Sequence, residues 1–232
     1  ATIINGYSVI EEVIMKTDGI IFDVDGTLWD ATEQIAEAYT VILQQEHIEN
    51  KVITAEILSS VMGLMNEDIA ARLFPELSYE KRMHLIERCC AFECEYLRKQ
   101  GGRLYPQALE VLKRLSARYP LYIVSNCQDG YIEAMFDVHG LQTYFRDYEC
   151  SGRTGKPKYE NLNMIKERNH LQQPVYIGDT KTDQISCEKA GIPFVYAAFG
   201  FGEATAYAAK VNSFAELEQL FLSDESTYIQ KQ

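Results

Sequence analysis

The chain has 232 residues, enough for a sizeable core and a second, smaller one. Its formal net charge is −12 and its sequence pI is near 4.8, a surface that repels nucleic acid and anionic membranes and admits a small anion only beside a local cation. No apolar run reaches the roughly 18 residues a membrane span needs, and the six cysteines lack zinc-ligand spacing, which points to reduced thiols in the cytoplasm.

Residues 1–17 carry Glu11 and Glu12 and no basic start ahead of an apolar core, so they do not read as a signal peptide and are set apart as an N-terminal extension without an assigned role. The first strong signal is Gly19-Ile20-Ile21-Phe22-Asp23-Val24-Asp25-Gly26-Thr27. Its apolar run predicts a strand buried on both faces, followed by two carboxylates spaced two apart and a glycine. Side chains at i and i+2 of extended chain share a side, so Asp23 and Asp25 should meet where Gly26 ends the strand. Like charges that close need a cation between them or a retained proton. The plainer alternative is an Asp-Gly turn.

Asp30-Ala31-Thr32-Glu33 predicts a helix entrance with a capping box, after which Ile35, Ala38, Tyr39, Ile42 and Leu43 recur on one face. Thr54 opens a shorter helix through Val61. Met62-Gly63-Leu64-Met65 is a break, Asn66 caps a helix to Phe74, and Ser78 begins a long one that Gly101-Gly102 stops. Residues 31–101 are thus expected to be helical throughout, with Phe92 and Tyr96 as packing residues rather than a ligand box.

From Tyr105 the pattern changes. A helix from Pro106 to about Tyr119 precedes an apolar strand, Leu121-Tyr122-Ile123-Val124, ending at Ser125-Asn126. A helix from Gly130 to His139, a weak strand from Tyr144 to Glu149, the loop Gly152-Arg153-Thr154-Gly155-Lys156-Pro157 and a helix to about His170 follow. Then come a strand, Pro174 to Ile177, ending in Gly178-Asp179, a helix to Ala190, a strand to Tyr196 and a last helix, Phe214 to Leu222. Such alternation predicts an α/β fold, a doubly wound parallel sheet, with a smaller all-helical domain inserted. The domains are residues 18–30 with 102–232, and residues 31–101. Right-handed crossovers put all strand carboxyl ends on one edge, where ligands bind in open sheets of this kind.

Asp23, Asp25, Ser125, Asn126 and Asp179 fall on that edge, with Asp183 four residues on and Lys156 in a glycine-rich loop. Several hard oxygen ligands without histidine or cysteine suit Mg²⁺ rather than zinc. A divalent cation and an ammonium among carboxylates form a site for a phosphoryl group. Taken singly, Asp179 and Asp183 also read as helix caps, and Lys156 as a surface lysine.

Asp23-Val24-Asp25-Gly26-Thr27, Ser125, Gly155-Lys156-Pro157 and Gly178-Asp179-Thr180-x-x-Asp183 resemble, in order and spacing, the four motifs of the haloacid dehalogenase-like hydrolase superfamily. The resemblance covers about 18–30 and 103–222. It implies a Rossmann-like core, and the helical insert resembles the cap of the branch containing phosphoglycolate phosphatase and β-phosphoglucomutase, with Gly63 on a loop facing the site. By resemblance, Asp23 is the nucleophile that becomes an aspartyl-phosphate, and Asp25 the acid and base, which requires a raised pKa. Asp23, the Asp25 carbonyl and Asp179 would bind Mg²⁺, with Asp183 helping directly or through water. Ser125 and the amides of Gly26 and Asn126 would hold phosphate oxygens, and Lys156 would offset charge between nucleophile and phosphate.

Within the superfamily, Asp25 argues against carbon–halogen cleavage. Lys51, Lys81 and Lys99 are not placed as the Schiff-base lysine of phosphonate hydrolases, and Asp30 to Tyr39 lacks the histidine of the hexose-phosphate mutases. The expectation is a Mg²⁺-dependent phosphatase acting on a small phosphorylated metabolite. A phosphosugar mutase and a catalytically silent binding protein on the same fold are the alternatives. Ala198-Phe199-Gly200-Phe201-Gly202 resembles a Gly-aromatic-Gly segment of phosphoglycolate-phosphatase-like members. Trp29 is expected to pack at the hinge and Cys127 to be an inert thiol. Arg153 and Lys158 are expected to be solvated surface charge.

Overall fold

The structure is a computed structural model that describes residues 3–4, 7–8, 13–14 and 16–223. Much of the N-terminal extension therefore lies outside the described residues. Of it, Ile3–Ile4 (β1) and Tyr7–Ser8 (β2) pair antiparallel, and Thr17 donates its hydroxyl to the Val13 carbonyl at 2.9 Å.

Gly19–Phe22 (β3) is buried along its whole length, as its unbroken apolar run requires. It lies at the centre of a six-stranded parallel sheet. Its neighbours are Leu121–Ser125 (β6) and Pro174–Gly178 (β8). Phe145–Cys150 (β7) extends the sheet beyond β6, while Phe194–Ala197 (β9) and Ala209–Val211 (β10) extend it beyond β8. The order β10-β9-β8-β3-β6-β7 reverses direction at β3, so a crevice opens where Asp23 leaves the sheet. Phe22 anchors one face, stacked with Phe214 at 6.2 Å and edge-on to Phe145 at 6.1 Å. Burying such a ring contributes roughly 1.5–3 kcal/mol. Ile21, Tyr122, Val124 and Tyr176 form the core of the other face with Leu162 and Ile165 from the helix Lys158–Arg168.

The insert is all helix, as its periodicity predicts. Its helices are Thr32–Gln45 (α1), Ala55–Ser59 (α2), Asn66–Leu73 (α3) and Tyr79–Gln100 (α4). Thr54 and Ser78 cap α2 and α4 by accepting from Ile57 N and Lys81 N. The expected capping box at α1 is replaced by a shorter device. Asp30 Oδ1 accepts from both the amide and the hydroxyl of Thr32, at 3.0 and 2.7 Å. Asn66 is the first helical residue of α3 rather than its cap. One apolar cluster runs from the Phe22 face of the sheet into the insert, through Ile35, Tyr39, Leu58, Phe74 and Leu85. Among the described residues, no helix is long and apolar enough to cross a membrane.

The chain crosses between core and insert twice, and the crossings lie side by side. Trp29–Asp30 (β4) pairs antiparallel with Arg103–Leu104 (β5), a ribbon that the strand pattern did not foretell because each piece is two residues long. Gly102 enters it against the Trp29 indole. A Cβ there would lie 2.7 Å from Trp29 Cε3 and 2.7 Å from Ala31 Cβ, and neither can swing aside. Overpacking of that kind costs about 1–3 kcal/mol. Gly102→Ala is therefore expected to lower the urea midpoint by that equivalent; an unchanged midpoint would mean the crossing is looser than drawn.

Candidate active site

The edge formed by the ends of β3, β6 and β8 carries the carboxylates. Asp23 follows β3, with its amide donating to Ile177 O at 2.8 Å, and its side chain is buried. Asp179 follows β8. Its Oδ2 accepts from the amides of Phe201 and Gly202 at 2.7 and 3.3 Å. Glycine is needed on both sides of this carboxylate. A Cβ on Gly26, whose φ is +76°, would lie 2.1 Å from Asp179 Oδ2, and one on Gly200 would lie 2.4 Å from it. The Gly-aromatic-Gly segment thus has a physical role as the cradle of Asp179.

Asp23, Asp179 and Asp183 offer oxygens that all lie within 4.8 Å of one another. Asp179 Oδ1 is buried without a hydrogen-bond partner, whereas Asp23 Oδ1 has the Lys158 ammonium 3.1 Å away. Burial and the charges of Asp183 and Asp23 push Asp179 well up, and a buried carboxylate oxygen left open in this way fits a hard divalent cation. Asp183 fits the inner role less well, because both its oxygens are engaged. Oδ1 accepts from Lys158 Nζ at 2.6 Å and from the Tyr176 hydroxyl at 3.1 Å. Oδ2 accepts from the Asp179 amide and from the amide and hydroxyl of Thr180. Asp183 is both a helix cap, closing a capping box with Thr180 on the helix Lys181–Ala190, and a member of the cluster.

The lysine of the site is Lys158, not Lys156. Lys156 is half exposed and pairs at 3.6 Å with Glu160, a surface ion pair. Lys158, expected to be solvated, is buried, with Nζ 3.1 Å from Asp23 Oδ1 and 2.6 Å from Asp183 Oδ1. The backbone explains the exchange. Gly155 turns the chain in the left-handed region and Lys158 is the first residue of its helix. Helical Cα–Cβ bonds tilt toward the N-terminus, which here faces the sheet edge, so the first-turn side chain reaches the carboxylates. Arg153 remains at the surface, bound to Asp129, Glu133 and Glu149.

The two carboxylates of the opening motif occupy different surroundings. Burial, reinforced by the charge of Asp183, pushes Asp23 up to about 6, against the pull of Lys158. Asp25 faces aromatic donors: Oδ1 accepts from the Tyr131 hydroxyl at 2.6 Å and from Trp29 Nε1 at 3.1 Å. Burial pushes it up to about 7, despite those two hydrogen bonds. Trp29 is thus more than hinge packing. Burial would raise Asp183 too, but Lys158 and the donors of Thr180 hold it below the ordinary range.

Ser125 ends β6 and lines a cavity of about 40 Å³ between the sheet edge and the insert, together with Asp23 and Asp25. Asn126 lines it as well, and its side chain also works as a latch. Nδ2 donates to Gly63 O of the insert at 2.8 Å, while Oδ1 accepts from the Ser151 hydroxyl at 2.9 Å. Gly63 thus does face the site. The amide of Gly26 is already given to Trp29 O at 3.0 Å, so what Gly26 supplies is space for Asp179 rather than a free donor. Glu93 of α4 also enters the cavity and accepts from Gln128 Nε2 at 2.9 Å. Burial pushes it up to about 8, with the charge of Asp25 adding to the effect. Sequence reasoning missed Glu93, although a signal existed: it is the one charged residue on the buried face made by Ile86, Cys89, Cys90, Cys94 and Leu97. Cys127 lines the same cavity, its thiol pushed well up by burial.

The sequence profile of the haloacid dehalogenase-like hydrolases matches residues 20–197. The chain belongs to that family. Relatives include phosphoglycolate phosphatases of Yersinia pestis, 24% identical over 200 residues and covering 81% of this chain and 84% of the relative, and of Vibrio vulnificus strain CMCP6, 27% identical over 215 residues and covering 84% and 90%. A haloacid dehalogenase-like hydrolase from Streptococcus pneumoniae superposes with a TM-score of 0.77 at 22% identity over 89% of this chain and 99% of its own. A predicted phosphoglycolate phosphatase from Haemophilus somnus does so with 0.75 at 19% over 88% and 98%. This member of the family is a hydrolase of phosphatase type.

Two measurements test the site. In chelator, Lys158→Met leaves two buried carboxylates without their cation and is expected to cost about 3–5 kcal/mol in urea unfolding; Lys156→Met should change it by less than about 0.5 kcal/mol. Equal effects would refute the assignment. Glu93 has a folded pKa of about 8 against an ordinary value of 4.5. Its contribution to stability is complete below the unfolded value and is lost as pH rises through the folded one. Glu93→Gln should therefore gain several degrees in Tm relative to the parent between pH 5 and pH 9; a difference independent of pH would show that the carboxyl titrates normally.

Proposed function

We propose that the chain is a Mg²⁺-dependent phosphatase that hydrolyses a small phosphate monoester through an aspartyl-phosphate on Asp23. The observation that carries the reading is the buried group of Asp23, Asp179 and Asp183 gathered around Lys158 at the carboxyl end of the central strand. Asp179, with an open buried oxygen, and Asp23 beside it would hold the cation, together with the Asp25 carbonyl that the family resemblance implies. Asp183 acts behind them by fixing Lys158 and Thr180. When bound, the cation supplies positive charge against the phosphoryl oxygens.

The residues divide the work by environment. Lys158 keeps Asp23 ionised and places positive charge beside it, so that a carboxylate oxygen can attack phosphorus. The Ser125 hydroxyl is placed to donate to a phosphoryl oxygen. Asp25, near pH 7 in affinity and oriented by Trp29 and Tyr131, gives its proton to the departing alkoxide and then takes one from the water that attacks the aspartyl-phosphate. The apolar insert covers the site and limits water to that second step. The six cysteines are all free thiols, which suits the reducing cytoplasm proposed as its compartment.

With p-nitrophenyl phosphate and Mg²⁺, Asp25→Asn is expected to lose roughly 10²–10⁴-fold in kcat, the range of a general acid and base. Asp23→Asn should abolish turnover, as should chelation, with recovery on adding Mg²⁺. Parental turnover by Asp23→Asn would end this reading. Phosphate release also separates it from the two alternatives: a phosphosugar mutase would retain phosphate on the sugar, and a silent binding protein would release none.

A further inference from the structure

The cavity over Asp23 and Asp25 is where the alcohol part of a substrate would sit, and its walls define what that part can be. Its charged side chains are all acidic: Asp23, Asp25 and Glu93. Among the described residues, no lysine, arginine or histidine lines it. The nearest cation, Lys158, sits behind Asp23, shared with Asp183. The remaining wall toward the insert is apolar, with Leu58, Val61, Leu64 and Ile69, relieved by the amides of Asn66 and Gln128. By volume the space holds roughly three waters.

The phosphoryl group would already take up the proposed Mg²⁺ and Lys158, so a second anion placed toward Glu93 would be taken from water with no lining side-chain cation to meet it. Glu93 offers no positive charge in either protonation state, and its backing by Gln128 at 2.9 Å fixes it as a hydrogen-bonding group on the cavity wall. We infer that the alcohol leaving this site is uncharged, with a hydroxyl or amide that Glu93 and Gln128 can bind, and that phosphocarboxylic acids such as phosphoglycolate are rejected. This inference rests on the phosphatase reading above and specifies its substrate class. It sets the chain apart from the phosphoglycolate phosphatases it is similar to.

A matched pair isolates the charge: phosphoglycolate and its primary amide, 2-amino-2-oxoethyl phosphate, which have nearly the same shape. Each is assayed with the full chain and Mg²⁺ for phosphate release and for competition with p-nitrophenyl phosphate. The amide is expected to be favoured by roughly 100-fold in kcat/KM or in inhibition constant, the order that an unpaired buried polar group imposes. Glu93→Lys should shift that ratio toward phosphoglycolate by at least about tenfold; Gln128→Lys, on the facing wall, serves the same purpose if the first variant fails to fold. Phosphoglycolate equal to or better than the amide, or neither engaging the site at millimolar concentration while p-nitrophenyl phosphate turns over, overturns the inference and leaves the phosphatase reading standing. Absence of turnover with every ester, p-nitrophenyl phosphate included, overturns both.

Discussion

One buried ammonium holds the site together. Lys158 lies between Asp23 and Asp183, at the end of the central strand, in a cluster that also contains Asp179. Without it, carboxylates from two segments far apart in sequence would repel one another across a water-poor crevice. A cation in the first turn of a helix also opposes the helix dipole. Two carboxylates within 3.1 Å more than offset that cost, and they raise the affinity of Lys158 for its proton although burial works against it. The helix Lys158–Arg168, packed on the sheet through Leu162 and Ile165, is therefore fixed as much by its first side chain as by its apolar face.

Most of this was legible from residue order. An apolar run entering Asp-x-Asp-Gly places two carboxylates at a strand end, and the strand and helix periods locate the other strand ends on the same edge. The lysine was misread because motif spacing identifies a segment, not a side-chain direction. Lys156 and Lys158 are two residues apart, and only the left-handed turn at Gly155 and the helix starting at Lys158 decide which one points inward. Tyr131 was out of reach for another reason. Its bond to Asp25 joins residues 106 apart, and no local pattern encodes such a meeting. Glu93 lay between these cases, since a lone carboxylate on an otherwise apolar helical face marks either a partner or a cavity.

The insert and the core share more than a hinge. One apolar cluster spans both, Trp29 and Gly102 interlock at the crossing, and Gly63 of the insert accepts from Asn126 beside the reactive edge. That last contact couples closure to the site. The side chain of the residue after Ser125 is held from both sides, by Gly63 of the insert and by Ser151 of the core. A second coupling runs through Gln128, which follows the same strand and bonds Glu93 of α4.

Asp23 and Asp25 show how one strand end can host opposite chemistries. They share a motif and a side of the chain, yet Asp23 turns toward an ammonium and the carboxylates of Asp179 and Asp183, while Asp25 turns toward an indole and a phenol. An ammonium stabilises the anion by full charge. A phenol and an indole stabilise it only by neutral hydrogen bonds, and burial raises both carboxyls, Asp23 to about 6 and Asp25 to about 7. Under the proposed mechanism, Asp23 would attack and Asp25 would carry the proton. The difference arises from tertiary partners supplied by Lys158, Trp29 and Tyr131 rather than from the motif itself. The Asp-x-Asp pair is therefore necessary for the division of labour, and the surrounding packing is what creates it.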